Sequence, residues 1–62
     1  MKTIQTNNKL KTFQIAQVIA KRSKITIPNM DDIIQIDENK FKIELDLENI
    51  DHLPIGLKKY VI

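Results

Sequence analysis

Few residues of this chain could serve as a catalytic nucleophile and its base. The sequence has one serine, Ser23, one histidine, His52, and no cysteine. Together with Asp51 they supply the residue types of a Ser–His–acid set, in which the histidine removes the hydroxyl proton and the acid orients the histidine. No glycine-containing nucleophile motif surrounds Ser23, which follows Lys21 and Arg22. We therefore interpret Ser23 as a polar residue at a helix end and His52 as a surface residue, and we expect no enzymatic activity.

Two pairs of adjacent acids could in principle hold a hard cation or carry acid–base chemistry: Asp31-Asp32 and Asp37-Glu38. Both pairs fall where the sequence predicts turns, and aspartate is common in turns because its side chain caps nearby N–H groups. Gly56 is the only glycine, so a glycine-rich phosphate loop is excluded. One histidine and no cysteine are too few ligands for a structural zinc site. The sequence predicts neither a metal ion nor a cofactor.

A row of basic and polar residues in the first half of the chain is the pattern that favours binding. Its members step by three, four and three positions and so share one side of a helix: Lys11, Gln14, Val18 and Lys21. A glutamine can pair with adenine, and a lysine with guanine or phosphate. Solvated helices also carry such residues, so a plain exposed face is the alternative. The candidate nucleic-acid-binding residues are Lys9, Lys11, Gln14, Lys21, Arg22 and Lys24.

Charge is divided unevenly along the chain. Residues 1–24 hold six cations and no acid, whereas residues 25–53 hold eight acids and two lysines. The basic block suits an anionic partner, but it could equally face the acidic block within the fold or across a dimer. The net charge of +2 is modest for a nucleic-acid-binding protein, so the charge pattern leaves both interpretations open.

The length of the chain, 62 residues, predicts one small domain spanning residues 1–62. A domain of this size buries about 60% of its unfolded surface, and no disulfide reinforces it, so we expect a homo-oligomer. The apolar content of 42% predicts a folded chain. No apolar run approaches the roughly 18 residues of a membrane span, and no apolar signal segment follows Lys2. We expect no membrane partner and, by default, a cytoplasmic location.

A helix is predicted from about Asn8 to Ser23. The Asn8 side chain can accept a hydrogen bond from a free N–H group of the first turn. Lys21 and Arg22 fall at the carbonyl end, where the helix dipole favours cations. Six residues form an arc that we expect to face a core: Thr12, Phe13, Ile15, Ala16, Ile19 and Ala20.

A β-hairpin is predicted from residues 33–36 and 41–47. Four apolar residues of the second strand, Phe41, Ile43, Leu45 and Leu47, alternate with four charged ones, Lys42, Glu44, Asp46 and Glu48. This alternation is typical of a strand with one buried face. Asn39 is the residue of the connecting turn most able to adopt a positive φ. The predicted fold class is α+β, with one amphipathic helix packed on a small, mostly antiparallel sheet.

The remaining segments carry weaker patterns. Met1–Thr6 is predicted to be a short strand or a frayed end. Residues 25–27 are predicted to be an edge strand or an extended segment before Pro28. Residues 48–53 could form one helical turn that Pro54 ends. The last strand-forming residues are Tyr60, Val61 and Ile62. We expect them to pair as a strand, or to dock on the core or on a partner as an interface.

Two functions remain open from the sequence. The first is a small non-enzymatic regulatory protein that binds nucleic acid through the basic helix, residues 8–24. The alternative is a protein–protein interaction module, such as an inhibitor, antitoxin or assembly adaptor. It would use an edge strand and the apolar residues 60–62.

Overall fold

The computed structural model describes residues 1–62, the whole chain, and confirms the α+β class with a hairpin. Its elements in chain order are β1 (Lys2–Thr6), α1 (Lys9–Arg22), a 3-10 turn (Met30–Asp32), β2 (Ile34–Asp37), β3 (Lys40–Leu45) and α2 (Ile55–Lys58). The three strands form one antiparallel sheet in the order β1-β3-β2. α1 packs across β1 and β3. The sheet therefore has one face under α1 and one open face.

The helix α1 begins and ends close to the predicted residues. Asn8 is the N-cap, and its side-chain Oδ1 accepts a hydrogen bond of 2.9 Å from the Lys11 backbone N–H. This contact satisfies a donor that has no partner within the first turn. Ser23 is the C-cap, and its N–H donates to the Ile19 carbonyl oxygen at 3.0 Å. The residues predicted at the two ends thus serve as caps of the helix.

Lys24 reverses the chain at the end of α1 in a left-handed backbone conformation. Its φ of 56° is the one positive φ in the chain. The Ile25 N–H donates to the Ala20 carbonyl oxygen at 3.1 Å, and the Lys24 N–H donates to that of Lys21 at 3.3 Å. These two bonds form a Schellman motif, whose left-handed position is usually occupied by glycine because a Cβ atom is strained there.

Replacing Lys24 with glycine is expected to raise the free energy of unfolding by about 0.5–1 kcal/mol, because it relieves the strained positive φ. A gain of that size raises Tm by several degrees in a domain of about 60 residues, which a thermal melt measures. The control is Lys21→Gly, which places the same residue inside α1 and is expected to cost about 1 kcal/mol. A Lys24→Gly variant that melts lower than the wild type would contradict the assigned backbone conformation.

The hairpin is confirmed, with β2 and β3 pairing as Ile34 with Lys42 and Gln35 with Phe41. A bulge between Gln35 and Asp37 shifts the register before the turn, so that Asp37 pairs with Lys40. Asn39, the turn residue most able to adopt a positive φ, does not adopt one, since Lys24 alone does so. An extra residue in a bulged strand bends and twists the strand locally, and this hairpin turn contains no residue with a positive φ.

The weaker segments resolve in different ways. Residues 2–6 form a strand, as one of the two interpretations predicted, whereas residues 25–27 are extended without strand pairing. The helical turn expected over residues 48–53 is wrong, and the short helix α2 comes after Pro54 instead. Pro54 is the N-cap of α2. Proline's fixed φ and missing N–H suit the beginning of a helix, so Pro54 starts a helix here and does not end one.

The core lies between α1 and the inner face of the sheet. Ile4 of β1 pairs with Ile43 of β3, and both are 1% exposed or less. Ala16 and Ile19 of α1 cover them, as the predicted arc requires. The buried apolar residues are Ile4, Ala16, Ile19, Ala20, Ile43, Leu45, Leu47 and Leu53. Phe41 of the predicted alternation is only half-buried, and Leu47 is buried although it lies beyond the end of β3.

Two buried threonine hydroxyls join β1 to the beginning of α1. Thr6 Oγ1 and Thr12 Oγ1 lie 2.7 Å apart, and each is 2.9 Å from the Asn8 carbonyl oxygen. Each hydroxyl has one proton, so one donates to Asn8 and the other to the neighbouring hydroxyl. The pair therefore satisfies both buried hydroxyls and fixes the N-cap of α1 against the sheet.

Candidate nucleic-acid interface

The face of α1 that points away from the sheet carries the predicted basic row. The four residues of the row are all exposed: Lys11, Gln14, Val18 and Lys21. The opposite face is buried through Thr12, Ala16, Ile19 and Ala20. At a rise of 1.5 Å per residue, the row extends about 15 Å along the helix. The structure thus presents these side chains together on one accessible surface.

The other candidate cations continue this surface at both ends of α1. Lys9, Arg22 and Lys24 are exposed, and α1 contains no acidic residue. None of the side-chain hydrogen bonds in the structure joins a lysine or arginine to a carboxylate. We call the exposed residues Lys9, Lys11, Gln14, Lys21, Arg22 and Lys24 the basic face. Its cations are exposed and make no hydrogen bond to a carboxylate.

The acidic block lies mainly on the other elements of the fold. Glu44 alternates with the buried residues Ile43 and Leu45, so its side chain lies on the open face of the sheet, away from α1. The remaining acids occupy the 3-10 turn, the hairpin end and the loop after β3: Asp31, Asp32, Asp37, Glu38, Asp46, Glu48 and Asp51. None of the acids therefore lies on α1 itself, and Glu44 lies on the opposite face of the sheet.

Lys24 is the member of the basic face that shares a surface depression with carboxylates. It lines an open depression of about 540 Å³ together with Asp32, Glu44 and Asp46. None of these acids accepts a hydrogen bond from Lys24, and the Asp32 carboxylate instead accepts one from the Asn29 N–H at 3.0 Å. The field of these acids weakens the attraction of Lys24 for an anion relative to Lys21 and Arg22. Ser23 and His52 do not line this depression.

Ser23 and His52 contact each other, which the sequence did not predict. Ser23 Oγ lies 2.7 Å from His52 Nε2 across 29 positions of the chain, on the exposed surface. No side-chain hydrogen bond joins His52 to Asp51. Ser23 ends a helix, where carbonyl groups rather than free N–H donors are presented, so the helix end itself offers no oxyanion-stabilising N–H groups to the hydroxyl. The contact fastens the end of α1 to the loop before Pro54.

Residues 60–62 pair with the outer edge of β1. Val61 forms an antiparallel bridge with Ile4, the Gln5 N–H donates to the Tyr60 carbonyl oxygen at 3.0 Å, and the Ile62 N–H donates to that of Thr3 at 2.9 Å. The three apolar residues therefore dock as a short strand on their own chain, which was one of the expected outcomes. Ile62 nevertheless stays 72% exposed.

The Tyr60 ring lies near two lysines, one of which, Lys11, belongs to the basic face. Lys11 Nζ is 5.1 Å from the ring centroid and Lys59 Nζ is 5.2 Å from it, both within cation–π range. Hydrogen bonding by Lys11 is the largest influence on the phenol and lowers its pKa below 10.0, and the positive charges of both lysines act in the same direction. Desolvation opposes them. The contact links residues 60–62 to the first turn of α1.

Replacing Lys11 with glutamine is expected to raise the Tyr60 pKa back toward its ordinary value. Tyr60 is the only tyrosine and the chain has no tryptophan, so phenolate absorbance in an alkaline titration reports this group alone. Lys59→Gln should give a smaller rise and Lys40→Gln none. Because the fold lowers this pKa, the ionised ring stabilises the folded state above about pH 10, and this contribution disappears as the pH falls through the folded pKa. An unchanged pKa in Lys11→Gln would contradict the contact.

The structure offers no arrangement typical of a metal site, since no three His, Asp or Glu side chains converge. Its longest helix, α1, has 14 residues and carries several charges, so no helix here could span a bilayer. Compared with protein-family models, curated proteins and solved structures, the chain matches none of them.

Proposed function

We propose that this chain is a small non-enzymatic regulatory protein that binds duplex DNA through the basic face of α1. The observation that carries the proposal is the accessibility of that face. Its cations are exposed, none of them is hydrogen-bonded to a carboxylate, and most of the acids lie on other elements. Lysine and arginine side chains that neutralise phosphates release counterions, which supplies most of the free energy of non-specific binding.

Duplex DNA fits this face better than other nucleic acids. An α-helix enters the major groove of B-form DNA, and Gln14 at the middle of the row could pair with an adenine edge there. The deep, narrow major groove of duplex RNA does not admit a helix. Single strands are usually held by aromatic stacking, and the basic face contains no aromatic residue. The Tyr60 ring is occupied by its two lysines.

The test is a fluorescence anisotropy titration of a labelled DNA duplex over a range of salt concentrations. If the five cations of the basic face contact phosphates, the logarithm of the binding constant should fall with a slope of about −4.5 against the logarithm of salt concentration. A single strand of the same sequence and a duplex RNA are expected to bind more weakly. Absence of binding at low salt would remove the proposal, and equal affinity for the single strand would remove its duplex specificity.

A second candidate function, a protein–protein interaction module, is favoured by the state of β2. This strand lies at the edge of the sheet, and Ile34 and Ile36 are about half exposed on it. An unpaired edge with exposed apolar side chains can accept another strand.

A further inference from the structure

The edge strand β2 retains backbone hydrogen-bonding groups that another chain could use. We propose that this edge docks an extended segment of another protein in which lysine or arginine residues flank apolar, strand-forming residues. The proposal deepens the second candidate function, the interaction module, and rests on it. It does not depend on DNA binding, because it uses neither α1 nor any residue of the basic face.

The backbone of residues 34–36 is hydrogen-bonded on one side only. β2 pairs with β3, and the order of the sheet places no strand on its other side. None of the backbone hydrogen bonds outside the helices and strands uses an N–H or C=O group of Ile34, Gln35 or Ile36. The Gln35 side chain bonds to the Asp37 carbonyl oxygen at 3.1 Å, which lies beyond these three residues. Their outward groups can therefore pair with an added strand.

The apolar side chains along this edge are open to solvent. Ile34 is 54% exposed and Ile36 is 49% exposed. Ile34 pairs with Lys42, which precedes the buried residue Ile43, so Ile34 lies on the open face of the sheet. An apolar side chain opposite Ile34 on an added strand would remove part of this surface from water and so favour pairing.

Acidic residues flank the exposed stretch at both ends. All four are exposed: Asp31, Asp32, Asp37 and Glu38. Residues 31–38 contain no cation. The only hydrogen bonds that these carboxylates accept come from backbone N–H groups, those of Asn29 and Glu38. The nearest lysines in the sheet, Lys40 and Lys42, belong to β3 on the inner side of β2. An added strand on the outer side would therefore meet negative charge at both of its ends.

The same charges disfavour a second copy of this chain as the occupant. Antiparallel pairing of two β2 strands would set the acids before one strand beside the acids after the other, and parallel pairing would set each acid beside its own counterpart. Like charges opposite each other destabilise a strand pair. Residues 60–62 of another copy do not fit either, because the Val61 N–H that points away from β1 is bonded to the Lys58 carbonyl oxygen at 3.0 Å.

A foreign strand with basic ends replaces this repulsion by attraction. The edge thus selects its partner by charge, since it rejects acidic strands and its own copy while it accepts a basic segment. Acids at both ends of β2 suit a basic segment of either direction. Exposed charges are screened over about 10 Å at 0.1 M salt, so the affinity should fall as salt is added.

The contact is expected to be short and weak. The bulge between Gln35 and Asp37 interrupts the regular ladder, so an added strand pairs over about three residues. Such a ladder buries far less than the roughly 1,200 Å² of a stable interface. Binding should therefore need a high concentration of the partner.

The test is a titration of the isotope-labelled full chain with a synthetic peptide, followed by NMR through the backbone amide signals. The peptide has blocked ends and carries two lysines on each side of a valine–threonine–valine core. The amide signals of residues 33–38 should shift and those of α1 should not. A peptide with glutamates in place of the lysines should bind about 10-fold more weakly or less, because four attractive charge pairs become repulsive.

A third peptide separates strand pairing from simple attraction of charge. It keeps the four lysines and the side chains of the core but is N-methylated at two consecutive core residues. Successive N–H groups of a strand point to opposite sides, so one of the two lost donors faces β2 in any register. This peptide should bind about 10-fold more weakly than the unmethylated one, since it loses a backbone hydrogen bond and clashes with the edge.

Variants of the protein locate the peptide on the fold. Asp37→Lys/Glu38→Lys should weaken binding of the lysine peptide about 10-fold. The control Asp46→Lys/Glu48→Lys makes the same change of charge in the loop after β3 and should bind the peptide as the wild type does. Circular dichroism verifies that both variants are folded, and the comparison of the three peptides uses the wild type alone.

Each contrary result has a distinct meaning. Equal binding of the lysine and glutamate peptides would overturn the basic partner and leave the interaction module standing. Undiminished binding of the N-methylated peptide would overturn strand pairing. Shifts of residues 33–38 on concentration of the protein alone would assign the edge to a second copy. If no peptide binds, both this proposal and the second candidate function fall, while DNA binding by the basic face is unaffected.

Discussion

Replacing Ile43 with alanine is expected to lower the free energy of unfolding by about 2–5 kcal/mol. Ile43 is 1% exposed, lies in the middle of the central strand β3, and pairs with the fully buried Ile4. The substitution removes buried methyl groups and leaves a cavity between the sheet and α1. A domain of 62 residues has a total stability of only about 3–9 kcal/mol, so a large part of the population should be unfolded. Urea or thermal denaturation followed by circular dichroism measures the change.

The matched control for this prediction is Ile34→Ala on the neighbouring strand. It removes the same atoms from a side chain that is 54% exposed at the sheet edge. The expected loss is below about 1 kcal/mol, because little apolar surface returns to water and no cavity forms. If the two variants were equally stable, the assignment of Ile43 and Ile4 to the centre of the core would be wrong.

The elements that were predicted well are those whose signals are local. The asparagine cap, the basic last turn and the 3.6-residue period specified α1 to within one residue at each end. The alternation from Phe41 to Leu47 specified the strand β3 and its buried face. Each signal lies within about 16 residues of sequence and reports the environment of each side chain directly. Such patterns predict an element without knowledge of its neighbours.

The mistakes occur where one residue type permits two structures. Pro54 can end one helix or begin another, and only the packing of Leu53 and Leu57 on the core selects the second. Asn39 is the turn residue best suited by type to a left-handed conformation, yet it does not adopt one, and the hairpin has a bulge in β2. Lys24 takes the left-handed position because the Schellman hydrogen bonds at the end of α1 offset its strain. The conformational preference of a residue type alone does not reveal the packing and hydrogen bonds that select one structure over the other.

The candidate site likewise combines features that local sequence patterns predict with features that they do not. The exposed row on α1 was predictable, because a helical period fixes which side chains share a face. The Ser23–His52 hydrogen bond and the contact of Lys11 with Tyr60 were not, since each joins residues separated by 29 or more positions. The order β1-β3-β2, which moves residues 60–62 to the far edge, was also beyond a local reading. Long-range contacts depend on the whole topology.

The concentration of cations on α1, which carries no acid, leads to the sharpest test of the proposed function. Three cations cluster at the end of α1, namely Lys21, Arg22 and Lys24, and three others lie on the strands, namely Lys2, Lys40 and Lys42. A binding mode that responds only to net charge would treat the two sets alike. A binding mode that uses the basic face would distinguish them, because phosphates contact only the charges that the bound surface presents.

Converting Lys21, Arg22 and Lys24 together to glutamine is therefore expected to weaken duplex DNA binding on the order of 10²-fold at about 0.1 M salt, because each lost phosphate contact removes one counterion-release contribution. The slope of the logarithm of affinity against that of salt concentration should become about 2.7 less negative. The control variant Lys2→Gln/Lys40→Gln/Lys42→Gln has the same net charge and should lose little affinity and keep the wild-type slope. Anisotropy titrations at several salt concentrations measure both quantities. An equal loss in the two triple variants would indicate that net charge, and not α1, attracts the DNA.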